Sequence, residues 1–245
     1  MEQKLPIRIE KCPIIDVGVD IRFFTTIPQS AVFGLIYESL RMEYPGRVDP
    51  LPILQFPEQI RAIDPNLKFK AHYKLENQDF VLQVGPDVLV LSSKNPYVGW
   101  NNYMPHIISL IERLLTRGII QTVSRLGIRY INLFEIGSIK QLNLDFSINE
   151  NKTRFVNTHI RTEVPDGDYT SILQVAEPAS FTTIDGVNRV GTLVDIDTCR
   201  NYNDTAFIQN YIGELEMAHK CEKTLFYSLL KPEFLKSLNP IYDDK

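Results

Sequence analysis

The chain has 245 residues, a net charge of −4 and a sequence pI near 5.6, with 44% hydrophobic and 23% charged residues. These values match globular averages and exclude wholesale disorder, and they lack the strongly basic balance of a dedicated duplex-binding domain. No window reaches the roughly 18 consecutive apolar residues of a membrane span, and the segment Met1 to Pro6 carries no apolar run of signal-peptide type. The three cysteines, Cys12, Cys199 and Cys221, stand far apart and form no C-x-x-C pair. A disulfide framework is therefore not expected, a reducing cytoplasmic location is, and all three are read as small buried apolar residues.

The first element is a strand over Ile14–Phe24, where Val17, Val19, Ile21 and Phe23 alternate with Gly18, Asp20 and Arg22. A helix is predicted over Ser30–Met42, with Ser30 as its N-cap and Ala31, Phe33, Leu35, Ile36, Leu40 and Met42 as its apolar stripe. The connection from Tyr44 to Asn66 contains Pro45, Pro50, Pro52, Pro57 and Pro65. So many fixed φ angles argue against regular structure throughout, except for a short helical turn at Phe56–Ile60, and a connection of this length inside a compact domain usually has a function. Three short strands follow at Leu67–Leu75, Phe80–Val84 and Val88–Ser92, and turns this tight make an antiparallel meander. The next helix, Asn101–Arg117, has a clear apolar face and Gly118 as its terminator.

The order then restarts. A strand over Ser124–Phe134 is followed by an irregular stretch, Ile136–Asn151, and by strands near Phe155–Glu163, Tyr169–Ala176 and Val190–Cys199. One final helix is predicted over Thr205–Leu230, with a short turn at Pro232–Leu238. The first strands of the two halves share an Ile-Arg-aromatic triplet, Ile21-Arg22-Phe23 and Ile128-Arg129-Tyr130. The expected fold is α+β: two similar halves, residues 1–121 and 122–245, each a strand, helix or connection, three strands and a helix. They would form a mostly antiparallel curved sheet, or one continuous domain, with the long helices on one face.

None of the 12 glycines falls in a phosphate-loop or dinucleotide-binding pattern, so no nucleotide cofactor is expected. The histidines, His72, His106, His159 and His219, show no zinc-type spacing. Asp195-Ile196-Asp197 would put two carboxylates on one face of a strand, the weak beginning of a magnesium site; the plainer reading is a pair of solvated or arginine-paired carboxylates. There is no nucleophile elbow, and Cys221, two residues beyond His219 on a helix, does not face it.

Arg22, Arg125 and Arg129 lie on the polar faces of strands, with Asp195 and Asp197 placed to oppose them if those strands pair. They make either an arginine-lined surface for an acidic or phosphorylated partner or a salt-bridge ladder that fixes register. Lys68, Lys70, His72 and Lys74 make one basic strand face, either a nucleic-acid or anion stripe or an ordinary solvated face or protected edge. Tyr97 and Trp100 precede the second helix as an exposed contact pair, or as a staple at its start.

The segments Pro13-Ile14-Ile15-Asp16-Val17-Gly18-Val19-Asp20-Ile21-Arg22-Phe23, Arg125-Leu126-Gly127-Ile128-Arg129-Tyr130-Ile131-Asn132 and Leu230-Lys231-Pro232-Glu233-Phe234-Leu235 resemble a sporadically distributed bacterial family of similar length. Asp16 and Asp20 depart from its usual apolar or glutamate residues. The resemblance carries over no catalytic residue. It implies a prokaryotic cytoplasmic protein of patchy distribution, as is typical of defence and conflict loci.

The expected function is therefore non-catalytic: a binding protein, antitoxin-like, holding a protein partner and able to self-associate, with no cofactor and no membrane. One alternative is a metal-dependent nuclease or phosphohydrolase using Asp195 and Asp197. Another is a nucleic-acid or nucleotide sensor using Arg22, Arg125 and Arg129.

Overall fold

A computed structural model describes residues 5–145, 157–182 and 188–243. Strand β1 (Arg8–Ile9) leads to β2 (Ile14–Phe24), helix α1 (Gln29–Leu40) and β3 (Asp49–Pro50). Two short helices, α2 (Glu58–Ile63) and α3 (Pro65–Lys68), precede the meander β4 (Tyr73–Glu76), β5 (Phe80–Val84) and β6 (Val88–Ser93). Helix α4 (Trp100–Thr116) and the long strand β7 (Thr122–Glu135) follow. The chain ends with β8 (Thr158–Asp166), β9 (Tyr169–Thr182), β10 (Asn188–Asn201), α5 (Ala206–Gln209), α6 (Tyr211–Leu229), α7 (Pro232–Ser237) and β11 (Pro240–Ile241).

The fold is α+β. Its main sheet has nine strands in the order β3-β4-β5-β6-β2-β7-β10-β9-β8. The order repeats between the halves: β4-β5-β6-β2 in the first, β8-β9-β10-β7 in the second, each running from the three later strands to the half's own first strand. The registers of β2 with β6, β4 with β5, β5 with β6 and β8 with β9 are all antiparallel. Opposite directions also hold for β2 and β7, since the Phe24 carbonyl accepts from the Gln121 amide at 2.9 Å and the Pro13 carbonyl from the Leu133 amide at 2.9 Å.

The chain forms two compact units that interleave in sequence. The first contains Asp16–Ile128 and Cys199–Ala218; the second contains Met1–Ile15, Arg129–Thr198 and His219–Lys245. The first unit buries the alternating face of β2, with Val17, Val19, Ile21 and Phe23 all 3% exposed or less. The second buries Phe134, Leu173, Val175, Val194, Ile196, Phe226 and Leu229 as one cluster. Among the described residues no helix is long and apolar enough to cross a membrane.

Several elements differ from those expected. Ser30 does not cap α1: the helix starts at Gln29 directly after Pro28, with no side-chain cap. Its buried side is Val32, Ile36, Ser39 and Leu40, while Leu35 faces out and Met42, beyond the helix, is 87% exposed. The strand over Leu67–Leu75 is shorter, because Asp64 accepts the Asn66 amide at 2.8 Å and Pro65 opens α3, turning the chain helical until Lys68. Lys68, Lys70, His72 and Lys74 therefore do not share a strand face; only Lys74 lies in β4. The final helix is two: Asn210, at φ −148° and ψ 43°, ends α5, and its side-chain amide lies across Gly213 of α6.

The irregular stretch after β7 contains a 3₁₀ turn at Ser138–Gln141, and its residues 146–151 fall outside the described ones, as do Phe155 and Val156 of the expected strand there. The cysteines are not all buried: Cys12 is exposed, Cys199 partly so and Cys221 buried.

Charged clusters and a candidate ligand cleft

The strand arginines are engaged with carboxylates. In the first unit, Arg125 reaches Asp20, and Arg22 Nε lies 3.3 Å from the same carboxylate. Arg22 also lies over the Phe69 ring at 4.7 Å. Gly127 explains part of the Arg125-Leu126-Gly127 pattern. A Cβ there would sit 2.5 Å from the Arg125 guanidinium, which crosses the strand through the space that glycine leaves.

In the second unit, Arg129 forks onto Asp195, Nε to Oδ1 at 2.8 Å and a terminal nitrogen to Oδ2 at 2.6 Å. Gln174 donates to Oδ2 at 3.1 Å, so Asp195, 4% exposed, is well satisfied. The two aspartates differ, since Asp197 is only partly buried. No group of three or more histidine, cysteine or acidic side chains suited to a metal occurs among the described residues. Arg129→Leu should cost about 2 kcal/mol of stability, below the range for breaking a fully buried pair because Arg129 is itself half exposed. The measurement is a urea midpoint for Arg129→Leu, Asp195→Leu and the double variant; the double variant should cost less than the sum of the singles.

A third cluster was not anticipated from sequence. In the first unit Arg200 donates to both oxygens of Glu214 at 2.8 Å, Tyr202 donates to the same carboxylate at 2.7 Å, and Arg200 lies 5.1 Å from the Tyr202 ring centre. This cluster joins the end of β10 to the first turn of α6. Tyr97 and Trp100 are half-buried and edge-on to the buried Tyr103 ring at 6.2 Å.

In α6 the second unit holds titratable groups away from water. Burial pushes Cys221 up to about 11, with its hydrogen bond to Asp166 adding to the shift, so it is a thiol at neutral pH and a poor nucleophile. Burial lowers His219 to about 3, and Tyr130 Oη lies 3.5 Å from its Nδ1. Glu222, 4% exposed, is raised by burial to about 8.

One concave feature of the first unit is a cleft of about 290 Å³ beneath the proline-rich connection. Leu54, Glu58, Arg61 and Ala62 from that connection face Gln29, Ser30 and Phe33 of α1, Lys68, His72 and Tyr73, and Val84 to Pro86. Arg61 donates from Nε to the Phe56 carbonyl at 3.1 Å and from one terminal nitrogen to the His72 ring at 2.8–3.1 Å. Burial first, and Arg61 second, lower the His72 pKa, so the ring is neutral at pH 7 and accepts from the guanidinium. Phe33 stacks on Tyr73 at 4.0 Å and 25°.

The sequence singled out the connection and His72, but not Arg61, which has no motif around it. Asp64-Pro65, a cap followed by proline, was the available signal that the chain turns helical and carries Lys68 away from the meander. No family model matches the chain, and no curated protein matches it.

Proposed function

We propose that the chain is a non-catalytic binding protein of the cytoplasm that holds a protein partner through the proline-rich connection of its first unit. The supporting observation is the outward apolar face of that connection. Phe56 and Ile60 are about half exposed, and Ile63 is 80% exposed. The spacing of Ile60 and Ile63 puts them side by side on α2. Burying one such side chain against a partner is worth about 1.5–3 kcal/mol, which the isolated chain forgoes. The family resemblance supplies the class of partner, an effector encoded beside the chain in a bacterial defence locus, which the chain would restrain.

The test is co-purification of the tagged chain from its host after nuclease treatment, in parallel with Ile60→Asp/Ile63→Asp. A stoichiometric protein held by the wild type and lost by the variant is the expected result. A wild-type preparation that contains only this chain, as monomer or oligomer, overturns the reading, and so does a partner that the variant retains.

A further inference from the structure

We infer that the cleft beneath the connection is a binding site for a carboxylate group carried on a short apolar or aromatic stem. The inference deepens the binding-protein reading, since the connection forms one wall of the cleft.

The cleft holds cations that the rest of the protein does not balance. Arg125, Arg129 and Arg200 are matched to their own aspartates or glutamates. Arg61 is not: among the described residues no carboxylate lies within 4 Å of it, and its second terminal nitrogen has no acceptor. Lys68 likewise has no carboxylate within that distance; its ammonium lies 5.3 Å from the Phe69 ring. Two cations thus line one concavity, and the guanidinium is held in place by the Phe56 carbonyl and the His72 ring. A guanidinium with a free edge is the group that recognises a planar oxyanion.

The net charge of the cleft selects the kind of anion. Glu58 also lines the cleft, so the lining carries one positive charge in excess. Beside Lys68 stands Asp87, raised by burial, with Lys68 first and Arg22 second acting to lower it; counting Asp87 and Arg22 with the lining leaves the excess at one positive charge. One excess charge matches a monoanionic carboxylate better than a phosphate dianion, which would meet Glu58 uncompensated.

The size and polarity of the cleft fit the same class of ligand. A volume of about 290 Å³ sits at the small end of ligand pockets and suits one side chain or a small acid. Leu54, Ala62, Val84, Pro86 and the stacked Phe33 supply the apolar walls that would cover its stem. A free small acid and an acidic side chain of the partner both present such a carboxylate; the recognition chemistry is the same.

The experiment is titration of the whole chain, followed by calorimetry and by amide NMR shifts, with four probes: phenylacetate, its uncharged analogue phenylacetamide, inorganic phosphate, and a capped peptide with one central glutamate. Phenylacetate or the peptide should bind, with shifts at Phe33, Arg61 and Tyr73, and phenylacetamide should bind at least about tenfold more weakly, the worth of one charge-assisted contact. Arg61→Gln should lose about tenfold. Lys68→Met, at an exposed position where folding is not at stake, should lose several-fold. Preference for phenylacetate identifies a free acid as the natural source, and preference for the peptide a partner side chain. Tighter binding of phosphate, equal binding of phenylacetamide, or unchanged affinity in both variants overturns the inference.

The two readings fail separately. If Ile60→Asp/Ile63→Asp releases a partner while no carboxylate probe binds the wild type, the carboxylate site is wrong and the partner surface stands. If the probes bind and no partner is captured, the reverse holds.

Discussion

Among the described glycines, Gly191→Ala should be the most damaging substitution, costing about 3 kcal/mol or more and lowering the melting temperature by about 10 °C. A Cβ on Gly191 would fall far inside contact distance of the Phe134 carbonyl oxygen, and 3.2 Å from Leu133 Cδ1. The obstacle is backbone, so no rotamer change relieves it; β10 would have to move away from β7. Nearby contacts oppose that movement. Thr192 donates to the Glu135 carbonyl at 3.2 Å and to the Glu177 carboxylate, which also accepts from the Gly137 and Ile139 amides at 3.0 and 3.1 Å. Gly18→Ala is the control. There the nearest atom is Ser92 Oγ at 3.2 Å, a side chain that can rotate, and the cost should stay below about 1 kcal/mol. Thermal melts of the two variants beside the wild type decide the matter: equal melting temperatures would mean that β10 shifts freely at Gly191.

The same contrast separates what the sequence showed from what it hid. Strands with period-two alternation were legible, because burial of one face imposes the pattern directly: Val17, Val19, Ile21 and Phe23 in β2, Leu126, Ile128 and Tyr130 in β7. The repeated strand order followed from the order of elements. Local competition was harder to read. Lys68 alternates as well as any strand residue, yet the Asp64 cap and Pro65 overrode that alternation. Asn210 broke a helix whose apolar spacing ran straight through it.

The candidate sites divide along the same line. Arg129 and Asp195 could be paired from strand position, because register brings them together. Arg200 with Glu214, and Arg61 with His72, join different elements at distances along the chain that no periodicity encodes. The cleft is such a case: the prolines marked the segment, but its inward residues depend on how that segment folds back over α1 and β5.

The chain should be most stable between about pH 4.5 and 6.5 and should lose stability on both sides, through two groups three residues apart on α6. Glu222 is raised from 4.5 to about 8 by burial, with Lys223 working weakly the other way. In the unfolded chain it ionises near 4.5, so between that pH and 8 the folded state holds a proton that the unfolded state has lost. Stability then falls as pH rises, by up to about 1.4 kcal/mol per pH unit, and levels off above 8. His219 works in the opposite direction. Burial lowers it from 6.5 to about 3, with Lys223 adding to the effect, so below 6.5 the unfolded state binds a proton that the folded state refuses. Stability falls as pH drops from 6.5 towards 3. Between 4.5 and 6.5 the two slopes oppose and largely cancel, leaving a plateau.

Glu222→Gln keeps the neutral shape of the side chain and removes the ionisable group. It should raise stability at pH 7.5 by about 2–4 kcal/mol and leave it unchanged at pH 4, where wild-type Glu222 is protonated in the folded state and largely so in the unfolded one. Urea unfolding at pH 3.5, 5.5 and 8 for wild type, Glu222→Gln and His219→Gln resolves the two limbs. A wild type as stable at pH 8 as at 5.5 would mean that Glu222 finds a stabilising partner when ionised. Loss of the acid limb in Glu222→Gln rather than in His219→Gln would mean that the two groups exchange a proton and titrate as a pair.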